Sequence, residues 1–364
     1  GTPRQLTSGA FNHGGRLQWT PDGKSIVFAA NRQDEWIYDP VEAELWSVDV
    51  ATAEATQLTD RNGPDFAPAI SPDGSKIAYL GFDDEGMGNH SVQVYVMDRR
   101  SGEIDVLARD LDREVDDVHW AGGSSRLYIV YDDHGNKVID ALSLSGRHER
   151  VANDVGGVTL GRPYSSGGFS TSSNGTIAYS AGRSNRPADV GVASRSRQAR
   201  RITDLNGDLL DRKSLGNAEE LRWKSSADGL EVQGWIVKPP GFDASKKYPL
   251  ILEIHGGPFA TYGPHFSAEV QLFAAAGYVV LYTNPRGSTS YGADFANEIH
   301  HNYPGQDYDD LMSGIDAVLE LGYVDENNLF LTGGSGGGVL TAWIVGKTDR
   351  FSAAVVAKPV INWI

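Results

Sequence analysis

The segment LTGGSGGGVLTAW (331–343) surrounds one hydroxyl group, that of Ser335, with glycine residues. An apolar strand-like stretch precedes the glycines, and an apolar helix-like stretch follows them. Gly333, Ser335 and Gly337 satisfy the pattern G-x-S-x-G, which places a serine on a sharp turn between a strand and a helix. Such a turn needs strained backbone angles at the serine and close packing of helix on strand. We therefore predict that Ser335 is a nucleophile.

Other glycine-rich motifs fit this segment less well. A Walker phosphate-binding loop requires Lys and then Ser or Thr after its last glycine, whereas Val339 and Leu340 follow Gly338. The dinucleotide-binding pattern G-x-G-x-x-G, started at Gly334, ends on valine. A flexible linker would not lie between an apolar strand and an apolar helix. A tight packing turn with an incidental serine is the alternative interpretation.

The second half of the chain alternates between predicted strands and helices. The strands are nearly continuous apolar runs, as expected when helices cover both faces of a sheet. This alternation predicts a parallel, three-layer α/β sheet. A predicted hairpin over 218–242 precedes it. The strands cover 248–256, 278–284, 328–334 and 351–361, and the helices cover 267–277, 307–322 and 337–347.

The first half contains a repeat of about 50 residues. Each unit holds four strand-like stretches, the first two joined by a turn such as Asp-Gly. Four strands in such a period are typical of a β-propeller blade, whereas a β-sandwich of unrelated hairpins would have no fixed period. The opening TPRQLT (2–7) matches the closing EATQLT (54–59), so we predict four complete blades plus one orphan strand. The repeats begin with 19–28, 70–79, 120–129 and 171–180.

A second motif, HGGP (255–258), directly follows the first strand of the predicted α/β sheet. α/β-Hydrolases take one oxyanion donor from such a loop and the other from the residue after the serine. We therefore predict that the backbone N–H groups of Gly257 and Gly336 are the oxyanion donors. His255 is expected to pack the loop, because the catalytic base of this fold follows the nucleophile in the sequence.

Three motifs that follow the SPDG repeats of the first half resemble motifs of a known protein family. HGGPFATYG (255–263), YTNPRGSTSYG (282–292) and GGSGGGVLTAWIVGKTDRF (333–351) resemble the prolyl oligopeptidase family of serine peptidases. The acylaminoacyl-peptidase-like branch is the most similar, and the dipeptidyl-peptidase-like branch neighbours it. The resemblance covers essentially the whole chain.

The resemblance implies a β-propeller portion in 1–215 and the N-terminal portion of an α/β-hydrolase catalytic domain in 216–364. It also implies that the propeller admits short peptides, which are hydrolysed through an acyl-enzyme on Ser335. The expected activity is that of an acylaminoacyl-peptidase or oligopeptidase. A dipeptidyl peptidase, an esterase or amidase on the same fold, and a catalytically inactive binding protein are the alternatives.

Two features depart from the family pattern. Family members commonly carry tyrosine after the serine, whereas Gly336 stands here, although a backbone donor survives this change. In the order Ser…Asp…His both partners should follow Ser335, yet the last histidine is His301 and the only later acid, Asp349, comes too early. We therefore expect the acid and the base beyond Ile364. The sequence would then be an internal, inactive segment that leaves its hydrophobic end uncovered.

Five further residues are candidates for contact with substrate. Arg286 is one, with a buried salt bridge that pins its loop as the alternative. Tyr262 and Phe259 follow the HGGP motif, with packing as the alternative. Asp116 and Asp117 are candidates to anchor a substrate amino group, with solvated loop charge as the preferred interpretation.

Composition limits the partners. The formal net charge of −16 argues against binding to nucleic acid or to an anionic membrane. The absence of cysteine excludes disulfides and thiolate metal sites, and EIHH (298–301) lacks the H-E-x-x-H spacing, so we expect no metal and no cofactor. No apolar run reaches transmembrane length. Short peptides are the expected partners, and a homo-oligomer and a bacterial cytoplasmic or periplasmic location stay open.

Overall fold

Two kinds of β-sheet divide the chain. The structure, a computed structural model, describes residues 2–362, so the hydrophobic end at Trp363 and Ile364 lies outside the described residues. Antiparallel sheets occupy the described chain as far as Arg201, and a mixed sheet begins at Ala218. We call residues 2–201 the propeller region and residues 218–362 the α/β region.

The propeller region contains four blades, each an antiparallel meander of strands in chain order. Blades 1 and 2 contain β1 (His13–Trp19), β2 (Ser25–Ala30), β3 (Glu44–Asp49), β4 (Ala55–Gln57), β5 (Asp65–Ile70), β6 (Lys76–Gly81), β7 (Gln93–Asp98) and β8 (Ile104–Leu107). Blades 3 and 4 contain β9 (Val115–Trp120), β10 (Arg126–Asp133), β11 (Asn136–Ser143), β12 (His148–Val155), β13 (Phe169–Thr171), β14 (Ile177–Arg183), β15 (Arg186–Ser194) and β16 (Arg197–Arg201). The predicted four-strand period is therefore present in the structure.

The repeated Pro-Asp-Gly turn explains the hairpin that opens a blade. In blade 2, Asp73 Oδ1 accepts hydrogen bonds from Ser71 Oγ at 2.7 Å and from Ser75 N at 3.0 Å. Gly74 has φ of 73°, a backbone conformation that side chains disfavour. The turn thus satisfies its own polar groups and returns the chain as the next strand.

Neighbouring blades pack through alternate residues of their strands. In β10, Leu127 and Ile129 are buried against blade 2, whereas Tyr128 and Val130 are buried against blade 4. Because successive side chains of a strand point to opposite faces, one apolar strand can serve two interfaces. This double burial explains why the middle strands of the repeat are almost uniformly apolar.

The predicted orphan strand is not formed. Residues 2–8 belong to none of the described strands, and Leu6 only packs against the apolar cluster of Phe28 and Val48 on blade 1. A closing strand needs the three inner strands of its own blade as hydrogen-bonding partners. The described residues contain no such strands for this segment, because blade 1 already has four.

The α/β region contains a six-stranded sheet in the order β17-β18-β20-β19-β21-β22. The sheet is mixed, which corrects the predicted parallel sheet: β20, β19, β21 and β22 are parallel, whereas β17 and β18 form an antiparallel hairpin and β18 is antiparallel to β20. A tight hairpin necessarily reverses the chain. The strands are β17 (Ala218–Lys224), β18 (Glu231–Val237), β19 (Tyr248–Ile254), β20 (Val279–Asn284), β21 (Val324–Gly334) and β22 (Ala353–Ala357).

Helices cover both faces of this sheet, so the three-layer arrangement holds. One face packs against α4 and α5 and the other against α2. The prediction missed two short helices, α1 and α3, and made the last strand four residues too long at its C-terminal end. The helices are α1 (Gly207–Leu210), α2 (Ala268–Ala275), α3 (Ala293–Asn297), α4 (Asp307–Glu320) and α5 (Gly336–Val345).

The sheet topology brings the sequence motifs to one edge. Strand β19 pairs in parallel with β20 on one side and with β21 on the other. The HGGP motif follows β19, and the glycine-rich turn follows β21, so both leave the carboxyl edge side by side. Ligands of open α/β sheets bind at this edge.

Among residues 2–362, no helix has the length and apolar composition needed to cross a membrane.

Candidate active site

Ser335 lies alone at the sharp turn between β21 and α5. Its backbone angles, φ of 57° and ψ of −119°, are strained for a residue with a side chain. Backbone hydrogen bonds hold the turn on both sides, since Ser335 N donates to Ala357 O and Val339 N donates to Ser335 O, each at 3.0 Å. The serine is exposed although its neighbours on either side are buried, and its side chain does not cap the helix. The backbone therefore presents a free hydroxyl group to solvent.

The glycine two positions after the serine is required by backbone contacts. A β-carbon on Gly337 would lie 2.7 Å from His255 O and still closer to Ile254 O. These atoms belong to the end of β19 and cannot move without moving the sheet. Helix α5 thus begins directly against β19, at a distance that only glycine permits.

The two predicted oxyanion donors lie next to each other. A β-carbon on Gly336 would be 3.0 Å from Gly257 N. As the first residue of α5, Gly336 has an N–H without an intrahelical acceptor, and Gly257 N makes no hydrogen bond to another described residue. The positive end of the α5 dipole adds to this arrangement. Two unused donors therefore lie beside the Ser335 hydroxyl.

His255 is built into the loop as a neutral ring. Its Nδ1 lies 2.8 Å from Gly256 O and its Nε2 lies 2.9 Å from Ser288 Oγ. Nδ1–H donates to Gly256 O, and Nε2 lies beside the Ser288 hydroxyl, whose own proton is donated to Pro285 O at 2.6 Å. Burial lowers the pKa of His255 to about 4. This geometry fits the predicted packing role and leaves neither ring nitrogen free for Ser335.

Beneath the HGGP motif lies a buried carboxyl group, Glu253, which the sequence analysis did not single out. Tyr262 Oη donates to Glu253 Oε1 at 3.0 Å, and Arg162 Nε lies 3.3 Å from the same oxygen. Burial raises the pKa of Glu253 to about 7, although Arg162 and the Tyr262 hydroxyl act in the opposite direction. Tyr262 is itself fully buried, so its place in the structure is packing rather than the lining of a pocket.

Arg286 does not face a substrate site. Its side chain is fully buried and forms ion pairs at 2.9 Å with Asp310 and Asp228. These contacts fix the loop after β20 to the start of α4, the alternative considered from the sequence. Phe259 is 37% exposed and lies against the blade 2 segment at Gly88, where a β-carbon would be 2.6 Å from its ring. Of Arg286, Tyr262 and Phe259, only Phe259 is exposed, and it lies where the two regions are in contact.

Asp116 and Asp117, which both lie on β9, already have cationic partners on other strands. Asp116 is paired with Lys137, and Asp117 is paired with Arg16. An acid that must anchor a substrate ammonium group would need an unpaired carboxylate. The structure therefore favours the structural interpretation of both residues.

The described residues supply no acid–base pair for Ser335. None of the hydrogen bonds or ion pairs within 2–362 joins this serine to a histidine or a carboxylate, and Asp349 lies exposed after α5. In the same part of the chain, no three His, Asp or Glu side chains are grouped so that they could hold a metal ion.

Sequence analysis also missed Tyr164, which belongs to the propeller region and reaches the HGGP motif. Its hydroxyl accepts a hydrogen bond from Gly256 N at 2.6 Å. The one sequence signal is an irregularity of the repeat. Thirteen residues, 156–168, separate β12 from β13, whereas only seven separate the earlier blades at 58–64 and 108–114.

Comparison with known proteins gives matches at both ends of the chain. Residues 264–364 match the model of the prolyl oligopeptidase family, and residues 1–83 match that of the dipeptidyl peptidase IV N-terminal region. The uncharacterized peptidase YuxL of Bacillus subtilis is 32% identical over an alignment of 458 residues. The alignment includes all of this chain and 68% of that protein.

Two further relatives match almost the whole chain. Dipeptidyl-peptidase 5 of Porphyromonas gingivalis is 27% identical and matches 94% of this chain and 49% of its own length. The structure of an acylaminoacyl peptidase in complex with Z-Gly-Gly-Phe-chloromethyl ketone has a TM-score of 0.80 and 26% identity. That match covers 94% of this chain and 51% of the solved chain. The present chain thus spans about half the length of these two relatives.

Proposed function

Because this chain belongs to the prolyl oligopeptidase family of serine peptidases, we propose that the protein hydrolyses short peptides through an acyl-enzyme on Ser335. One observation carries the proposal. An exposed, unpartnered hydroxyl on a strained strand–helix turn lies beside two unused backbone N–H groups. This is the arrangement that acyl transfer requires.

In the proposed reaction, Ser335 Oγ attacks the scissile carbonyl carbon and loses its proton to a general base. The carbonyl oxygen becomes an oxyanion and accepts hydrogen bonds from Gly257 N and Gly336 N, each stabilising the transition state by about 3 kcal/mol. Collapse of the tetrahedral intermediate releases the amine and leaves the acyl-enzyme, which water then hydrolyses. We propose that the base and its acid follow Ile364 in the natural protein, because in this fold both come after the nucleophile.

A hydrogen-bond donor near the turn supports a substrate with a blocked amino terminus. Arg162 Nη1 lies so close to Gly334 that a β-carbon there would be 2.7 Å away. Arg162 Nε is paired with Glu253 and Glu269, so Nη1 contributes an N–H donor for a substrate carbonyl oxygen, such as that of a blocking acyl group. With Asp116 and Asp117 already paired, acylaminoacyl peptides are the proposed substrates and free dipeptidyl groups the second choice.

Covalent labelling tests the nucleophile. We expect a fluorophosphonate to modify the natural full-length protein at one site, which peptide mapping by mass spectrometry places at Ser335. The variant Ser335→Ala should not be labelled, whereas Ser226→Ala, which removes an exposed serine of the same region, should react like the parent. Absence of labelling in the parent protein would favour the inactive binding protein, and labelling at another residue would refute the assignment of Ser335.

Substrate comparison tests the proposed specificity. An acetylated dipeptide anilide, the same anilide with a free amino terminus and a simple ester separate the three enzymatic alternatives. We expect the highest kcat/KM for the acetylated anilide. Preference for the free amine would favour a dipeptidyl peptidase, and hydrolysis of the ester alone would favour an esterase.

A further inference from the structure

A segment of the propeller region runs along the α/β region next to the HGGP motif. We call residues 160–165 the propeller strap. It contacts residues 261–269 through four backbone hydrogen bonds, of which two flank an antiparallel bridge between Tyr164 and Tyr262 and two come from the first N–H groups of α2. The pairs are Gly263 N to Pro163 O at 3.0 Å, Ser165 N to Thr261 O at 3.2 Å, Ala268 N to Leu160 O at 2.7 Å and Glu269 N to Gly161 O at 3.2 Å.

Tyr164 is the residue of the propeller strap that reaches the catalytic turn. Its ring packs edge-on against Tyr262, with 4.7 Å between ring centroids, and its hydroxyl accepts the N–H of Gly256 at 2.6 Å. A β-carbon on Gly256 would lie 3.1 Å from Tyr164 Oη and 3.1 Å from Ser335 Cβ. The tyrosine hydroxyl, Gly256 and the nucleophile therefore converge on one point.

The Gly256–Gly257 backbone has little intrinsic rigidity, since neither residue has a side chain to pack. Gly257, whose N–H is the proposed oxyanion donor, has φ of 134°. The peptide that carries this donor is held at Gly256 O by His255 Nδ1, and the hydrogen bond from Gly256 N to Tyr164 Oη fixes the preceding peptide, so the two bonds together restrict the backbone on both sides of the Gly256 α-carbon. An oxyanion donor acts fully only when it is held at 2.7–3.1 Å from the oxyanion position before reaction.

We propose that Tyr164 is a positioning residue for the oxyanion site, supplied by the propeller region. It acts through Gly256 on the orientation of Gly257 N and touches neither substrate nor reacting atoms. The inference rests on the proposed function of Gly257 as an oxyanion donor. It adds to the propeller region a part in the chemical step, beside the admission of substrate.

The test uses Tyr164→Phe in the natural full-length protein, because phenylalanine keeps the ring against Tyr262 and removes only the hydroxyl. We expect kcat to fall about tenfold and KM to change less than about twofold, since the lost interaction serves the transition state. Labelling by the fluorophosphonate should slow by a similar factor. Tyr179→Phe is the matched control, because it removes a hydroxyl of blade 4 that donates a hydrogen bond to Asp154 of blade 3, and it should leave both rates unchanged.

A peptide aldehyde separates positioning from loss of folded protein. Its hemiacetal oxygen occupies the oxyanion position, so we expect Tyr164→Phe to bind it about tenfold more weakly while binding a product peptide equally well. Equal aldehyde affinity, or equal weakening of aldehyde and product, would overturn the role of Tyr164 even if Ser335 is labelled normally. Failure of the parent protein to react at Ser335 would instead overturn the proposed function itself.

Discussion

The two halves of the candidate site are held in different ways. The nucleophile turn (333–338) is fixed within the α/β region, through backbone contacts with the ends of β19 and β22. The oxyanion loop (255–263) is held by His255 and Asn284 of the α/β region and, in addition, by Tyr164 and the backbone pairs of the propeller strap. The backbone hydrogen bonds of the nucleophile turn therefore lie within one region, whereas the oxyanion loop is held by contacts from both regions.

Separation of the two regions would affect the nucleophile turn and the oxyanion loop differently. Separation of the propeller region would remove the contact of Arg162 with Gly334, but it would leave the two backbone hydrogen bonds of Ser335 in place, because both lie within the α/β region. The same separation would remove the acceptor of Gly256 N, which is Tyr164 Oη, and the ionic partner of Glu253, which is Arg162. The oxyanion loop is thus the part of the site that responds to the propeller.

The largest expected effect on stability and labelling follows from a substitution in the nucleophile turn. Gly337→Ala places a methyl group against the backbone of β19, so we expect the free energy of unfolding to fall by about 3 kcal/mol. Displacement of the turn should also slow fluorophosphonate labelling about 100-fold. Gly346→Ala, at the other end of α5, meets no atom closer than 3.5 Å and is the matched control. Urea unfolding and labelling rates measure both effects, and a stable, normally labelled Gly337→Ala protein would contradict the described packing.

A smaller effect, on the pH dependence of the unfolding free energy, is expected at Glu253, beneath the oxyanion loop. Burial raises the pKa of Glu253 to about 7 from its usual 4.5, so between these values the folded state holds a proton that the unfolded state has released. The contribution of Glu253 to stability is therefore complete below about pH 4.5 and is lost as the pH rises to 7. We expect Glu253→Gln to remove roughly 2–3 kcal/mol of this decline.

Urea unfolding of both proteins at several pH values between 4.5 and 7.5 measures this contribution. Other groups titrate in the same range, but they are common to both proteins and cancel in the difference. A difference in unfolding free energy that does not change with pH would show that Glu253 keeps one charge state throughout, and would contradict the raised pKa of its carboxyl group.

The nucleophile turn could be predicted from sequence because its constraints are local. The pattern Gly333-x-Ser335-x-Gly337 records two packing requirements within a few residues of the serine, and flanking apolar runs identify the strand and the helix. The blades could be predicted for a similar reason, since each turn and strand recurs at a fixed spacing. The order of the strands in the α/β sheet could not be predicted in the same way, because the pairing of β18 with β20 is set by the tertiary structure.

The contacts between the oxyanion loop and the propeller strap are not indicated by any local sequence pattern. Tyr164 and Gly256 are 92 positions apart, and no motif surrounds the tyrosine. Arg162 and Glu253 form their ion pair across the same gap between regions. For Arg286, the motif identified an important residue but could not distinguish a buried ion pair from a substrate contact. Only the long connection at 156–168 indicated that this part of the repeat serves an additional purpose.

The most direct measurement of the central claim is the structure of the natural full-length protein after reaction with a fluorophosphonate. The account predicts phosphorus bonded to Ser335 Oγ and a phosphonyl oxygen 2.7–3.1 Å from both Gly257 N and Gly336 N, the distances expected for an oxyanion site. Tyr164 Oη should still accept the N–H of Gly256. A phosphonyl oxygen turned to solvent, or bound by other donors, would contradict the account.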